Sequence, residues 1–144
     1  MTPEPGLKPE AGLLTSEVSR YKPPMSTPST AAEVPFDGLM FGQAGETADA
    51  GEATAETVFE YHESDGVVWA RYEGGPVRLG FLVGTRDGDR LDFRYSQLND
   101  KGETASGRCS TTISVLGDGR IRFDQDWAWE SKPGEGQDAV EELR

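Results

Sequence analysis

From Phe36 onward, apolar and polar residues alternate, and clusters of glycine, aspartate and asparagine interrupt the alternation at short intervals. An alternation with period two is typical of strands that bury one face, and the interrupting residues are those that turns require. The pattern predicts eight strands: Phe36–Gln43, Ala53–Glu63, Val67–Glu73, Val77–Thr85, Arg90–Leu98, Thr104–Leu116, Arg120–Glu130 and Asp138–Leu143.

The segments between these strands are short. Parallel neighbours need a crossover of a dozen residues or more, and no linking segment offers that length, so the strands must pair antiparallel and in order. No long helix is available to cover the apolar face, which leaves a closed barrel, or a sandwich or half-open barrel, as the ways to bury it. We expect an all-β fold, an antiparallel up-and-down meander of about eight strands closed into a small barrel.

The alternation also predicts which side chains face the interior, because successive residues of a strand point to opposite faces. On the third and fourth strands, the rows beginning at Val67 and Val77 are expected to point inward. The predicted interior rows are Phe59 and Tyr61; Val67, Trp69 and Arg71; Val77, Leu79, Phe81 and Val83; Leu91, Phe93, Tyr95 and Gln97; Ala105, Gly107, Cys109, Ile113 and Val115; and Ile121, Phe123, Gln125, Trp127 and Trp129.

Residues 1–35 differ from the rest of the chain because they contain seven prolines. Proline removes a backbone donor and fixes φ, so this segment is predicted to be a disordered arm, followed by a barrel domain over residues 36–144. Met25 opens an alternative start, and the native protein is expected to begin at either Met1 or Met25.

The charge balance limits the partners. The chain carries 26 acidic and 14 basic side chains, a net charge of −12, and residues 36–66 hold eight acids and no lysine or arginine. Phosphate binding needs a basic surface, so nucleic acids and anionic membranes are not expected as partners. The single cysteine, Cys109, cannot form an internal disulfide, and no targeting segment or membrane span is evident. These features favour a cytoplasmic location, whereas the oligomeric state stays open.

Polar groups among the predicted interior aromatic residues suggest a small-ligand site in the barrel. Arg71 would either bind an acidic ligand or lie at the rim beside Glu73, and Arg108 would enter only if a bulge reversed the phase of the sixth strand. The candidate ligand-binding residues are Tyr61, Trp69, Arg71, Phe81, Tyr95, Gln97, Arg108, Gln125 and Trp127.

No catalytic residue, metal site or cofactor is expected from the sequence. Cys109 and His62 are the only thiol and imidazole, and the strand parity places them on opposite faces, where they cannot form a nucleophilic pair. One histidine and one cysteine also fall short of the usual zinc ligand sets.

Several short segments resemble a family of small bacterial calycin-like β-barrel proteins. They are Thr57–His62 (TVFEYH), Val68–Gly75 (VWARYEGG), Leu91–Tyr95 (LDFRY), Gly107–Cys109 (GRC) and Trp127–Glu130 (WAWE). Members of that family are often labelled N-acetylglutamate synthase. The resemblance covers Phe36 to the C-terminus and implies a compact barrel of lipocalin or avidin-like shape.

Three functions follow as hypotheses. The leading one is a non-enzymatic barrel that binds a small, partly apolar ligand in its mouth. The second is an interaction module with a filled barrel that uses the acidic 36–66 region or the N-terminal arm. The third is the acetyl transfer that the family label suggests, although the chain shows neither the helix N-terminus nor the glycine-bearing loop that usually holds a cofactor pyrophosphate.

Overall fold

A computed structural model describes residues 31–45 and 51–144 and shows eight antiparallel strands closed into a barrel. This confirms the fold predicted from the sequence. The strands are β1 (Leu39–Ala44), β2 (Val58–Ser64), β3 (Val67–Gly74), β4 (Val77–Asp87), β5 (Arg90–Asn99), β6 (Thr104–Val115), β7 (Ile121–Trp129) and β8 (Glu135–Glu142).

Each strand pairs with the next one, and β1 pairs with β8 to complete the ring. The closing register runs from Phe41 opposite Glu142 to Ala44 opposite Ala139. Closure removes the unpaired edges that an open sheet of this size would expose. The barrel has two different ends, which we call the closed end, beside Phe36, and the mouth, beside Asn99.

Two strands, β1 and β2, begin several residues later than the sequence predicts. Phe36 precedes β1 because its carbonyl accepts the N–H of Leu39 in a turn, at 3.1 Å. The predicted second strand loses residues 53–57, since the N–H of Thr57 returns to the carbonyl of Thr54, at 2.9 Å. By contrast, β8 begins at Glu135, three residues earlier than predicted.

Aromatic rings fill the closed end. The ring of Phe123 stacks on that of Phe41 with centroids 4.4 Å apart, and the rings of Tyr61 and Phe36 meet it edge to face at 4.9 and 5.2 Å. All four side chains are fully buried. Edge-to-face and offset-stacked rings are favourable arrangements, so this cluster is a packed core without room for a ligand.

The predicted inward row of β3 is wrong, because Trp69 and Arg71 point outward. The hairpin before β3 has only two loop residues, Asp65 and Gly66, both at positive φ, as a type I′ turn requires. This turn sets Tyr61 opposite Ala70, and directly opposite residues share one face of a sheet. The inward row is therefore Val68, Ala70 and Tyr72.

The predicted inward row of β4 is also wrong beyond its first residue. Val77 is buried, but Phe81 and Val83 are 54% and 60% exposed. The register with β5 shifts between Val77 and Leu79, and the extra residue reverses the phase of the strand. Leu82 and its neighbouring glycines face the interior instead.

Arg108 lies on the outer face of β6 and is exposed, because the pairing of β6 with both neighbours runs without a shift. The bulge that would have turned Arg108 inward does not occur. Val115 is likewise 40% exposed. The other predicted interior positions of β6, and the rows of β5 and β7, do face inward, with Tyr95 half-buried.

Residues 1–30 of the predicted arm lie outside the described residues. Val34, on the N-terminal side of the predicted boundary at residue 36, is buried in the core. The packed part of the chain thus extends beyond that boundary. Within the described residues, no helix has the length and apolar character needed to span a membrane.

Candidate functional site

A cavity of about 60 Å³ lies inside the barrel toward the mouth. Its wall is mainly aromatic, and a strand-free segment, residues 51–53, which we call the strap, covers it. The lining side chains include Phe59, Tyr61, Tyr72, Leu82, Phe93, Tyr95, Gln97, Cys109, Gln125, Trp127, Trp129 and Asp138. Ligand pockets usually enclose about 300–1,000 Å³, so this cavity holds a few waters unless the strap moves.

Five of the nine candidate residues line this cavity, and four do not. Those in the wall are Tyr61, Tyr95, Gln97, Gln125 and Trp127. Those outside it are Trp69, Arg71, Phe81 and Arg108.

Arg71 lies beside Glu73, which is the second of the two positions predicted for it. Its Nη2 atom lies 3.0 Å from Oε1 of Glu73, and both side chains are 54% exposed. Arg71 is therefore part of a solvent-exposed ion pair and contributes nothing to the interior. The barrel's buried guanidinium is instead Arg86, which lies at the closed end, away from the cavity.

Two buried glycines make room for the tyrosine rings of the cavity wall. A Cβ atom on Gly80 would lie 2.3 Å from the ring of Tyr72, and one on Gly107 would lie 2.5 Å from the hydroxyl of Tyr95. Since no side chain fits at these distances, the glycines and the tyrosines form complementary pairs on adjacent strands.

Asp138, which lies in the cavity wall, and Gln43, which contacts it, each have one buried oxygen without a partner among the described residues. Oδ2 of Asp138 accepts a hydrogen bond from Nε2 of Gln43 at 3.0 Å, while Oδ1 of Asp138 and Oε1 of Gln43 are buried without a partner. Burial raises the pKa of Asp138, and the hydrogen bond from Gln43 offsets only part of that effect. An N–H or O–H group placed here would satisfy oxygens that now have none.

Cys109 faces the cavity as a protonated thiol. Burial raises the pKa of its thiol to about 12, which leaves almost no thiolate at neutral pH. His62 lies on the outer face, where its ring stacks on that of Trp69 with centroids 5.6 Å apart. The prediction that these two side chains do not meet is confirmed.

At the mouth, the carboxylate of Glu52 binds three donors from the barrel. Oε1 accepts from Nε2 of Gln97 at 2.8 Å, and Oε2 accepts from Nδ2 of Asn99 at 3.0 Å and lies 3.6 Å from Nζ of Lys132. Burial alone would raise the pKa of Glu52, but these hydrogen bonds and the lysine charge outweigh it and hold the pKa below its ordinary value.

Sequence reasoning missed Glu52, Tyr72 and Asp138. The two-residue Asp65–Gly66 turn could have identified Tyr72, because it fixes which residues of β2 and β3 share a face. No local signal marks Glu52, which lies in a segment that the pattern assigned to neither strand nor site. Among residues 31–45 and 51–144, no cluster of three His, Cys, Asp or Glu side chains is arranged to hold a metal ion.

The closed eight-stranded meander with a cavity at one end is that of a small calycin-like barrel, as expected. The chain matches the family model for avidin-like proteins over residues 34–143, which is more than half of its length, and it belongs to that family. No curated protein and no solved structure matches the chain significantly. These comparisons leave the acetyl transfer suggested by the label as a prediction.

Proposed function

We propose that this barrel binds a small, partly apolar ligand in its mouth. The observation that carries the proposal is the cavity itself, whose wall combines aromatic rings with the unpartnered Oδ1 of Asp138. Binding sites for small molecules commonly combine an apolar wall with a few polar groups that orient the ligand. Avidin-like proteins include binders of small ligands such as biotin, which supports the same reading.

Gly51, Glu52 and Ala53 line the cavity, and a ligand would need the strap to move because the cavity encloses only about 60 Å³. The strap is attached to the barrel by the neighbouring turn, in which the hydroxyl of Thr57 donates to the carbonyl of Gly74 at 3.0 Å. A ligand would replace the strap and extend toward Asp138, with apolar atoms against the rings and an N–H or O–H donor at its inner end.

The test is a thermal-shift screen of a metabolite library that includes biotin, followed by titration of each hit while tryptophan fluorescence is recorded. Trp127 and Trp129 line the cavity, so a bound ligand should change their emission. Cys109→Leu would fill the cavity and should abolish binding. Thr112→Leu, on the outer face of the same strand, is the matched control and should bind as the wild type does.

Two results would reject the proposal. One is a library screen in which no compound stabilises the protein. The other is a hit whose affinity is the same for wild type and Cys109→Leu, because that compound would be binding outside the cavity. Overpacking of this kind usually costs about 1–3 kcal/mol, so the Cys109→Leu variant must be shown to fold. Cooperative unfolding of the variant shows this.

A second candidate is an interaction module that recognises a lysine- or arginine-rich segment. The observation that favours it is the exposure of Asp37 and Glu60, 61% and 46% of whose side chains are accessible, in a segment without lysine or arginine where both carboxylates contact His62. Binding of a lysine-rich peptide that weakens with salt and is lost in the Asp37→Asn, Glu60→Gln variant would support it. Equal binding by that variant would reject it.

A further inference from the structure

The carboxylate of Glu52 binds hydrogen-bond donors that lie on the strands and turns of the barrel. Gln97 and Asn99 are only 7% and 5% exposed and extend from the end of β5, while Lys132 comes from the β7–β8 connection. Two amide N–H groups and one ammonium group surround the two carboxylate oxygens. Charge-assisted hydrogen bonds of this kind are about twice as strong as those between neutral groups.

The donors are oriented by contacts that do not involve Glu52. The hydroxyl of Tyr72 donates to Oε1 of Gln97 at 2.8 Å, which leaves Nε2 of Gln97 directed to the mouth. Oδ1 of Asn99 accepts the backbone N–H groups of Lys101 and Glu103, each at 2.9 Å, so that Nδ2 faces outward as the donor. The arrangement is built into the strands and their turn.

Lys132 is also held independently, since its Nζ atom lies 4.7 Å from the centroid of the Trp129 ring. A cation above the face of a tryptophan is attracted by the ring quadrupole. The positive charge therefore remains at the mouth when Glu52 moves away. Preorganised donors of this kind lower the ordering cost of binding an anion.

Glu52, by contrast, comes from the strap, which lines the cavity and would have to move to make room for a ligand. From this difference we infer that Gln97, Asn99 and Lys132 form a carboxylate-binding subsite that Glu52 fills from within the chain, and that the barrel's ligand is a small monocarboxylic acid. The apolar part of that acid would lie in the cavity. This inference rests on the proposed function and names the chemical class of its ligand.

An occupant supplied by the chain itself competes with the ligand. The apparent affinity is reduced by the fraction of molecules in which the strap is closed. Removing the carboxylate of Glu52 should therefore tighten the binding of a free carboxylate by about tenfold or more. A neutral compound of the same shape would gain affinity only because the entrance is less obstructed. Its affinity should therefore change much less than that of the carboxylate.

The experiment uses the full chain with hexanoate and hexanamide, which differ in charge but have nearly the same size. Both are titrated into wild type, Glu52→Ala and the control Glu103→Ala. Glu103 also accepts from Nδ2 of Asn99, at 2.9 Å, but does not line the cavity. We expect Glu52→Ala to bind hexanoate about tenfold more tightly than wild type, Glu103→Ala to resemble wild type, and Gln97→Leu added to Glu52→Ala to remove the preference for the acid.

Each other outcome counts against the inference. Equal gains for hexanoate and hexanamide would mean that Glu52 only obstructs the entrance, which rejects the subsite but leaves the proposed function intact. No binding of either probe to Glu52→Ala, in a sample that still unfolds cooperatively, rejects the subsite as well. The proposed function is decided separately by the library screen and the Cys109→Leu variant.

Discussion

Arg86 and Glu63 form a buried ion pair at the closed end of the barrel. Nη1 of Arg86 lies 3.0 and 3.1 Å from the two carboxylate oxygens, and only 10% and 17% of the two side chains are exposed. Nη2 donates to the carbonyl of Ala31 at 3.1 Å, and Glu63 accepts the N–H of Phe36 at 2.8 Å. The pair thus attaches the segment before β1 to strands β2 and β4.

Replacing Arg86 with methionine should strongly destabilise the fold. The substitution leaves the carboxylate of Glu63 buried without its cation, and breaking a buried pair in this way typically costs about 3–5 kcal/mol. The free energy of unfolding, measured by urea denaturation, should fall by an amount in this range.

Arg71→Met is the matched control, because Arg71 pairs with Glu73 on the exposed outer face. Exposed ion pairs usually contribute no more than about 1 kcal/mol. Equal losses in the two variants would contradict the structural role given to Arg86.

Asp138→Asn should stabilise the protein at neutral pH. An asparagine here can donate through Nδ2 to the unpartnered Oε1 of Gln43 while its own oxygen still accepts from Nε2 of Gln43. Satisfying a buried polar atom is worth about 1–3 kcal/mol, so the free energy of unfolding at pH 7 should rise by up to that amount.

The effect should depend on pH with a defined sign. Burial raises the pKa of Asp138, so the folded state keeps a proton that the unfolded chain releases. The contribution of Asp138 to the free energy of unfolding of the wild type therefore falls as the pH rises from the ordinary aspartate pKa to the raised pKa. The advantage of Asp138→Asn should grow across that window and then level off. Asp100→Asn, in an exposed turn, serves as the charge-removal control, and an advantage that shrinks with rising pH would contradict the assignment.

Gly80→Ala should destabilise the barrel because its Cβ atom would meet the ring of Tyr72 at 2.3 Å. Displacing that ring also disturbs the hydrogen bond from Tyr72 to Gln97. We expect a loss of about 1–3 kcal/mol in urea denaturation. Gly117→Ala, whose added Cβ would have no neighbour within 4 Å, should change stability little. If Gly80→Ala is equally harmless, Gly80 faces solvent and the phase of β4 described above is wrong.

The rows that sequence reasoning assigned without error lie on β2, β5 and β7. On β5 and β7 the large apolar side chains, from Leu91 to Tyr95 and from Ile121 to Trp129, occupy one face, and Gln97 and Gln125 lie on the same face. Because the pattern and the pleat have the same period, parity alone identifies the buried face.

The rows assigned wrongly have identifiable causes. On β4, the exposed Phe81 and Val83 are more apolar than the glycines that face inward, so hydrophobicity favoured the outer face. On β3, alternation alone does not assign the face of Trp69 and Arg71, whereas the length of the preceding turn does. Pairing corrects both errors, because residues opposite each other in a ladder must share a face.

The five candidate residues that line the cavity lie on β2, β5 and β7, whose phase was predicted correctly. Two of the missed site residues, Glu52 and Asp138, lie far apart in the sequence. Glu52 precedes β2 and Asp138 lies in β8, so neither can be linked to Gln97 or Gln43 by spacing.

The amino-acid sequence by itself determined the eight strands and their antiparallel order and favoured closure of the sheet, because short turns and period-two alternation act locally along the chain. The tertiary structure alone decided which face of β3 and β4 is buried and that the strap places Glu52 over the cavity. Those features depend on one bulge, one two-residue turn and contacts between residues as far apart as Glu52 and Lys132, where the balance of burial and pairing across the barrel outweighs the local pattern.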